Sequence, residues 1–324
     1  MKNVSILVPE SAVLAAIDDP RHVFSAVNDF ANARGNPPVF DVKLVGLEKE
    51  VKLHNSSFTV HADHLIDDVL RTDLIFIPAF YGDKNDFLEK NRDFIPWINK
   101  QRSRGAEVVS LCLGAFMLAK TGLLDGKKAS THWKAADEFK KMFPKINLVT
   151  DKIITEENGI YTSGGATSYW NLLLYLVEKF TDRATAILVA KYFAIDIERD
   201  SQSAFILFQG QKDHHDIEVK RAQEFIENNF DEKINVEELA HKFAVGRRSF
   251  ERRFKKATNN SIIEYTQRVK IEAAKRELET GAKNVNEVMF GVGYSDTKAF
   301  RGVFKKITGL TPIEYRKKYK KQTI

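Results

Sequence analysis

A single cysteine, Cys112, lies in the stretch 108–116, V-V-S-L-C-L-G-A-F. Apolar residues lead into it, Leu113 and Gly114 follow, and a helix-compatible run continues. This order carries a side chain from a strand onto a tight turn at a helix N-terminus. Backbone N–H groups there can hold an oxyanion or a carboxylate, and a thiol there gains thiolate character. A cysteine nucleophile also needs a base and an orienting acid. The candidates are His132, in A-S-T-H-W at 129–133, and Glu10, just after the first apolar run. A second turn, Y-T-S-G-G-A-T-S at 161–168, puts Ser163, Gly164 and Gly165 at another strand end. An inert buried thiol fits the same stretch, because cysteine is among the most buried residue types.

The elements that must position these groups read as alternating strand and helix. Short apolar runs at 4–9, 39–45, 74–78 and 108–112 predict strands, and 23–34, 87–101 and 169–178 predict helices. This rhythm predicts an α/β domain with a mostly parallel sheet, whose ligands collect at the carboxyl ends of strands. One cysteine allows neither an intrachain disulfide nor a cysteine-based metal cluster, which fits a reducing compartment. His61 and His64, preceded by His54, lack the H-E-x-x-H pattern, so no metal or other cofactor is expected. The N-terminal apolar run is too short for a signal peptide, and no stretch reaches the roughly 18 apolar residues of a membrane span. A cytoplasmic protein without a membrane partner is expected.

Length and charge divide the chain. At 324 residues two domains are expected. Residues 216–324 hold 24 of the 50 Lys+Arg and 16 of the 44 Asp+Glu, a formal +8, whereas the rest of the chain is near neutral. The polar break at 209–216, Q-G-Q-K-D-H-H-D, sets the boundaries: a domain over 1–182, a helical connection over 183–215 and a basic domain over 216–324.

The basic part repeats itself. Phe250, Phe254 and Tyr265 recur fifty residues later as Phe300, Phe304 and Tyr315, and Leu239, Phe243 and Val245 recur after forty-nine as Val288, Val292 and Tyr294. The spacing predicts two units, each a helix, a turn and a second helix packed across it. On the helix near 246–256, Arg248, Arg252, Lys255 and Lys256 point away from the phenylalanines. On the helix near 296–306, Lys298, Arg301 and Lys305 do so. Flanking Arg247, Ser249, Ser295 and Thr297 complete a surface suited to double-stranded DNA, where Arg and Lys reach guanine edges and phosphates.

Residues 3–180 resemble the ThiJ/PfpI branch of the class I glutamine-amidotransferase-like fold. The resemblance rests on S-L-C-L-G-A-F-M-L-A-K-T-G-L-L-D-G-K-K-A-S-T-H-W at 110–133 and T-S-G-G-A-T at 162–167. Residues 216–320 resemble the AraC/XylS-type DNA-binding domain, through 234–254, 268–278 and F-K-K-I-T-G-L-T-P-I-E-Y-R at 304–316. Together they imply an N-terminal flavodoxin-like parallel-sheet sandwich and an all-α domain with two helix-turn-helix units. The implied function is transcriptional regulation by sequence-specific DNA binding, with the first domain sensing a ligand or forming a dimer. The implied partners are double-stranded DNA, a small-molecule effector, a second copy of the chain and the transcription machinery. The ligand site would comprise Glu10, Cys112, Leu113, Gly114, His132, Ser163, Gly164 and Gly165. Leu113 stands where peptidase-like members carry histidine, and Ala16 where such regulators carry aspartate. Cys112, His132 and Glu10 are therefore expected to form a vestigial or sensing site, not a catalytic one. The alternative is a cysteine-dependent hydrolase or amidase fused to a DNA-binding domain. Within the second half, Asn259 replaces a glycine, Ile262 a proline, Met289 an alanine and Gly302 an arginine of the family pattern.

Overall fold

The computed structural model describes residues 1–53, 56–197, 201–212 and 214–319, which leaves His54 outside. They divide into two units, 1–202 and 203–324.

The first unit is built on a sheet. In chain order its strands are β1 (Lys2–Val8), β2 (Phe40–Gly46), a hairpin of β3 (Glu50–Leu53) and β4 (Phe58–His61), β5 (His64–Leu65), β6 (Leu74–Ile77), β7 (Glu107–Ser110), a short pair β8 (Lys128–Ala129) and β9 (Asn147–Leu148), β10 (Ile154–Glu157) and β11 (Ile160–Ser163). Seven strands join in the order β10-β11-β7-β6-β1-β2-β5. All neighbours are parallel except the edge pair β10–β11. The helices are α1 (Leu14–Ala33), α2 (Lys84–Lys90), α3 (Phe94–Ser103), α4 (Ala115–Lys120), α5 (Ala136–Met142), α6 (Tyr169–Phe180) and α7 (Arg183–Tyr192). Successive strand residues face opposite sides. Ile6, Phe76 and Val109 pack with α1, α6 and α7, and Leu7, Ile75 and Val108 pack with α2 to α5.

Two features depart from the periodicity. Helix α1 begins at Leu14 and carries Pro20 inside it. Proline lacks the N–H and favours a break, yet the apolar face of Ala16, Ile17, Pro20, Val23, Phe24 and Val27 is fully buried, and packing prevails. The single helix expected over 87–101 is two. The buried Asn91 side chain accepts the Glu10 N–H at 2.9 Å and donates to the Phe87 carbonyl at 2.9 Å, which turns the chain between α2 and α3.

The second unit is all helix: α8 (Ile217–Asn228), α9 (Val236–Lys242), α10 (Arg247–Thr258), α11 (Ile262–Thr280), α12 (Val285–Gly291), α13 (Thr297–Thr308) and α14 (Pro312–Tyr319). Its two halves reuse one construction. Phe254 meets Tyr265 edge-on at 5.3 Å, and Phe304 meets Tyr315 at 5.5 Å. The tyrosine hydroxyls donate to Glu227 and Glu279, each at 2.6 Å. Helices α10 and α13 both end on a left-handed residue, Asn259 and Gly309, and the next helix starts with Ser261–Glu264 or Thr311–Glu314 side-chain capping. The long helix α11 ties the halves together. Buried Lys270 donates to the carbonyls of Glu232 and Val292, both at 3.0 Å; burial holds its ammonium below the usual lysine range.

Of the stretch 183–215, α7 packs in the first unit and Ser203–Phe205 packs in the second.

The turn before α10 holds Ala244 at φ 51°, where the second half has Gly293 at φ 71°. An L-residue with a Cβ pays about 1–2 kcal/mol in this region. Ala244→Gly should therefore stabilise the second unit by about 1 kcal/mol, seen in calorimetry of the full chain as a rise of several degrees in its melting transition.

Candidate functional site

Strand β7 ends at Ser110, and the chain then turns sharply. Cys112 sits on this turn at φ 54°, a left-handed conformation uncommon for a non-glycine residue. Gly114 makes the turn possible. A Cβ there would stand 2.7 Å from the Pro78 carbonyl oxygen and closer still to that of Ile77, both backbone atoms. Neighbouring elements then fix the cysteine: its N–H donates to Ser163 Oγ at 3.1 Å, and Thr131 Oγ1 donates to its carbonyl at 2.9 Å. Ser163 ends β11, which pairs with β7, so the two turns seen in the sequence are side by side.

The thiol is 6% exposed. Burial pushes its pKa above the usual thiol range; the backbone N–H groups of Ala166 and Leu113 favour the thiolate but do not offset that cost. His132 is half-buried, and burial followed by the charge of Lys134 holds its pKa below the usual imidazole range. Its Nδ1 accepts the Lys134 N–H at 3.1 Å. The ring lies against Gly165, where a Cβ would meet its Cγ at 2.8 Å. The structure thus brings Cys112, Leu113, Gly114, His132, Ser163, Gly164 and Gly165 to one end of the sheet. Glu10 is exposed, and its main chain bonds to the Asn91 side chain. Among the described residues no hydrogen bond joins Cys112, His132 and Glu10.

Three contributors escaped the sequence reading. Tyr169 donates to Asp19 at 2.5 Å; burial raises both pKa values, and the Asp19 carboxylate adds to the rise at Tyr169. Gln202 is buried: its Oε1 accepts the Gly165 N–H at 2.9 Å, and its Nε2 donates to the carbonyls of Thr150 and Thr131 at 2.9 and 3.1 Å. Gly164 lets this amide approach, since a Cβ there would lie 2.8 Å from it. Nothing local in the sequence marks these three, whose partners lie 37 or more residues away.

The second unit presents its cations on α10 and α13 with nearly the same alternation of exposed and buried positions. Arg248, Arg252 and Lys256 are exposed and make no ion pair among the described residues. Arg247 pairs with Glu237 and Glu251, and Lys255 with Glu264. On α13, Lys298, Arg301, Lys305 and Lys306 are exposed and unpaired in the same sense. Lys306 was not singled out, although the fifty-residue repeat aligns it with Lys256. Ser295 and Thr297 are exposed at the start of α13, and Ser249 is half-buried on α10. Arg253 has another task. It grips Asp216 at 2.6 and 2.7 Å, and Asp216 also caps α8; the guanidinium holds that carboxyl below its usual range.

Comparison with known proteins agrees with this division. Residues 24–179 match the DJ-1/PfpI family and residues 239–318 a helix-turn-helix domain family. The chain is similar to the HTH-type transcriptional regulator GbdR of Pseudomonas aeruginosa, 25% identical over 236 residues that span 69% of this chain and 61% of GbdR. A crystal structure of a putative transcriptional regulator from Vibrio parahaemolyticus superposes with a TM-score of 0.53 at 24% identity, over 59% of this chain and 98% of that one. An AraC family transcriptional regulator from Pseudomonas putida gives 0.50 at 16% identity, over 60% and 100%. At these identities the two structures show a shared fold.

Two outcomes test the elbow. Gly114→Ala should destabilise the first unit by about 1–3 kcal/mol or more, because backbone atoms cannot yield to the new methyl. Urea unfolding followed by tryptophan fluorescence isolates this unit, since Trp97, Trp133 and Trp170 are the chain's three tryptophans. Cys112 alkylation should reach half its limiting rate at a higher pH than a free thiol does, because a raised pKa leaves less thiolate at any given pH. A midpoint at or below that of a free thiol contradicts the burial argument.

The chain joins an N-terminal ThiJ/PfpI-like domain to a C-terminal helix-turn-helix domain that resembles those of AraC/XylS-type transcriptional regulators.

Proposed function

We propose that this chain is a sequence-specific DNA-binding transcriptional regulator. In this reading α9–α10 and α12–α13 act as two helix-turn-helix units, and α10 and α13 enter successive major-groove segments. The observation that carries it is the matched pair of cationic helix faces. Both helices bury phenylalanine, end on a left-handed cap and expose several cations that form no ion pair among the described residues. Solvated basic helices are common singly, but two built alike in a unit of formal charge +8 favour a polyanion with periodic grooves.

The first domain serves as an effector or dimerisation module in this reading. Its turn offers inward-facing amides beside Cys112, which suits ligand capture. Hydrolysis is the less favoured role: the thiol is held protonated by burial, and neither His132 nor Glu10 bonds to it. A cysteine-dependent turnover lost in Cys112→Ala would reverse that preference. A homodimer, a small-molecule effector and contact with the transcription machinery belong to the same proposal.

Selection of bound sequences from random duplex DNA tests the reading directly, and no enrichment would refute it. Single variants then separate the roles. Arg252 lies opposite the buried face of α10 and forms no ion pair among the described residues, so Arg252→Ala should relax base preference at one or two positions at a cost of about 1–3 kcal/mol. Lys305, near the end of α13, should contact phosphate. Lys305→Ala should weaken all sequences alike and lower the slope of log K against log salt by about 0.9. Competition titrations against mutated sites at several salt concentrations measure both.

A further inference from the structure

The two halves of the helical unit have separate cores. Phe250, Phe254 and Tyr265 belong to one, and Phe300, Phe304 and Tyr315 to the other. Helix α11 runs through both: Ile262 and Tyr265 pack in the first core, and Ile271, Ala274 and Leu278 in the second. Alone it would hold the halves only as firmly as a long helix resists bending.

Lys270 lies where α11 passes from one core to the other and is 7% exposed. Its ammonium donates to the Glu232 carbonyl, in the loop before α9, and to the Val292 carbonyl, in the turn before α13, both at 3.0 Å. It also reaches the Gly293 carbonyl at 3.5 Å. The three N–H donors of one lysine are thus divided between the halves. Bonds from a charged donor are roughly twice as strong as neutral ones.

Backbone meets backbone at the same place. A Cβ on Gly293 would collide with the Asp231 carbonyl oxygen and stand 2.6 Å from Lys270 Nζ. Phe230, in the same loop as Asp231, packs against the second core although it belongs to the first half. A cleft of about 180 Å³ opens beside the lysine, lined by Ile234 and Ile263 from the first half and Tyr294 from the second. The loop before α9 is therefore seated on the turn before α13, and Lys270 supplies the directed bonds there.

We infer that Lys270 fixes the separation of α10 and α13, and with it the number of base pairs between the two stretches of DNA that this chain reads. The loop at 229–235 opens α9, which packs with α10, and the turn at 292–296 opens α13 itself. A cross-link between those two segments sets where α10 stands relative to α13. One base pair added between two sites shifts the far one by about 3.4 Å and turns it by about 34–36°. Two helices held at one separation cannot follow that change. Lys270 is a positioning residue in this scheme and touches no base. The inference rests on the reading that both α10 and α13 enter DNA.

Selection from random duplex DNA with the full chain should return two enriched stretches at a single spacing. Titration then compares that duplex with versions one and two base pairs longer between the stretches. The parent should bind each longer duplex about tenfold or more weakly, a loss of the size a mismatched base pair causes. In Lys270→Met, which keeps the side chain's bulk and removes its donors, the same ratio should fall to about threefold or less. The cleft admits water to the freed carbonyls, so the variant should fold. Lys270→Gln, shorter and polar, takes the same test if it does not. A lysine that only stabilised the fold would weaken all three duplexes alike and leave the ratio where it was. That outcome, or a parent that accepts the longer duplexes equally well, overturns the inference. Enrichment of one stretch alone overturns it too, while leaving DNA binding by a single helix intact. No enrichment of any duplex removes the DNA-binding reading itself, and this inference with it.

Discussion

The carbonyls of Ile77 and Pro78 approach Gly114 so closely that no side chain fits between them. The geometry of the first unit's site follows from that contact. Because the turn is pressed onto the end of β6, Cys112 is driven into left-handed backbone, its N–H is aimed at Ser163, and its carbonyl is presented to Thr131. Strain of this kind persists only where surrounding structure over-determines it. Here β7 and β11, paired along 108–110 and 160–162, supply the determination.

That constraint also shapes the chemistry. A turn driven so deeply into the sheet's end buries the sulfur, and burial outweighs the two amides that would favour its thiolate. The His132 imidazole lies against Gly165, with its Nδ1 occupied by the Lys134 backbone N–H. The result is a buried thiol, its pKa raised, with the backbone N–H groups of Leu113 and Ala166 turned toward it. The buried amide of Gln202 then locks the two turns with bonds to three segments, at Gly165, at Thr131 and at Thr150 and Lys152.

In the second unit the governing device is used twice. A helix buries two phenylalanines one turn apart, ends on a left-handed residue, and hands over to a capped helix whose tyrosine closes the cluster. Asn259 performs in the first copy what Gly309 performs in the second, since asparagine tolerates the left-handed region. Ile262 opens α11 where Pro312 opens α14, and both helix starts carry Ser/Thr–Glu side-chain capping. Arg252, between the phenylalanines of α10, and Arg301, between those of α13, are exposed.

Features that repeat over short range can be read from the chain alone. The four central strands follow from compact apolar runs, the basic faces of α10 and α13 from the 3.6-residue period, and their kinship from the offset of fifty. Cysteine, glycine and serine at two strand ends likewise mark where the two turns lie. Tertiary structure alone decided the matters that depend on distant partners. Arg252 and Arg253 are neighbours of one type, yet one is exposed while the other is bound to Asp216, 37 residues earlier. Asp19 meets Tyr169 across 150 residues, and Gln202 reaches turns 37 to 71 residues back. Glu10, just after β1, has its main chain held by Asn91 and its side chain exposed. Periodicity reports which way a side chain leaves its own element; only the packing of elements against one another determines what it meets there.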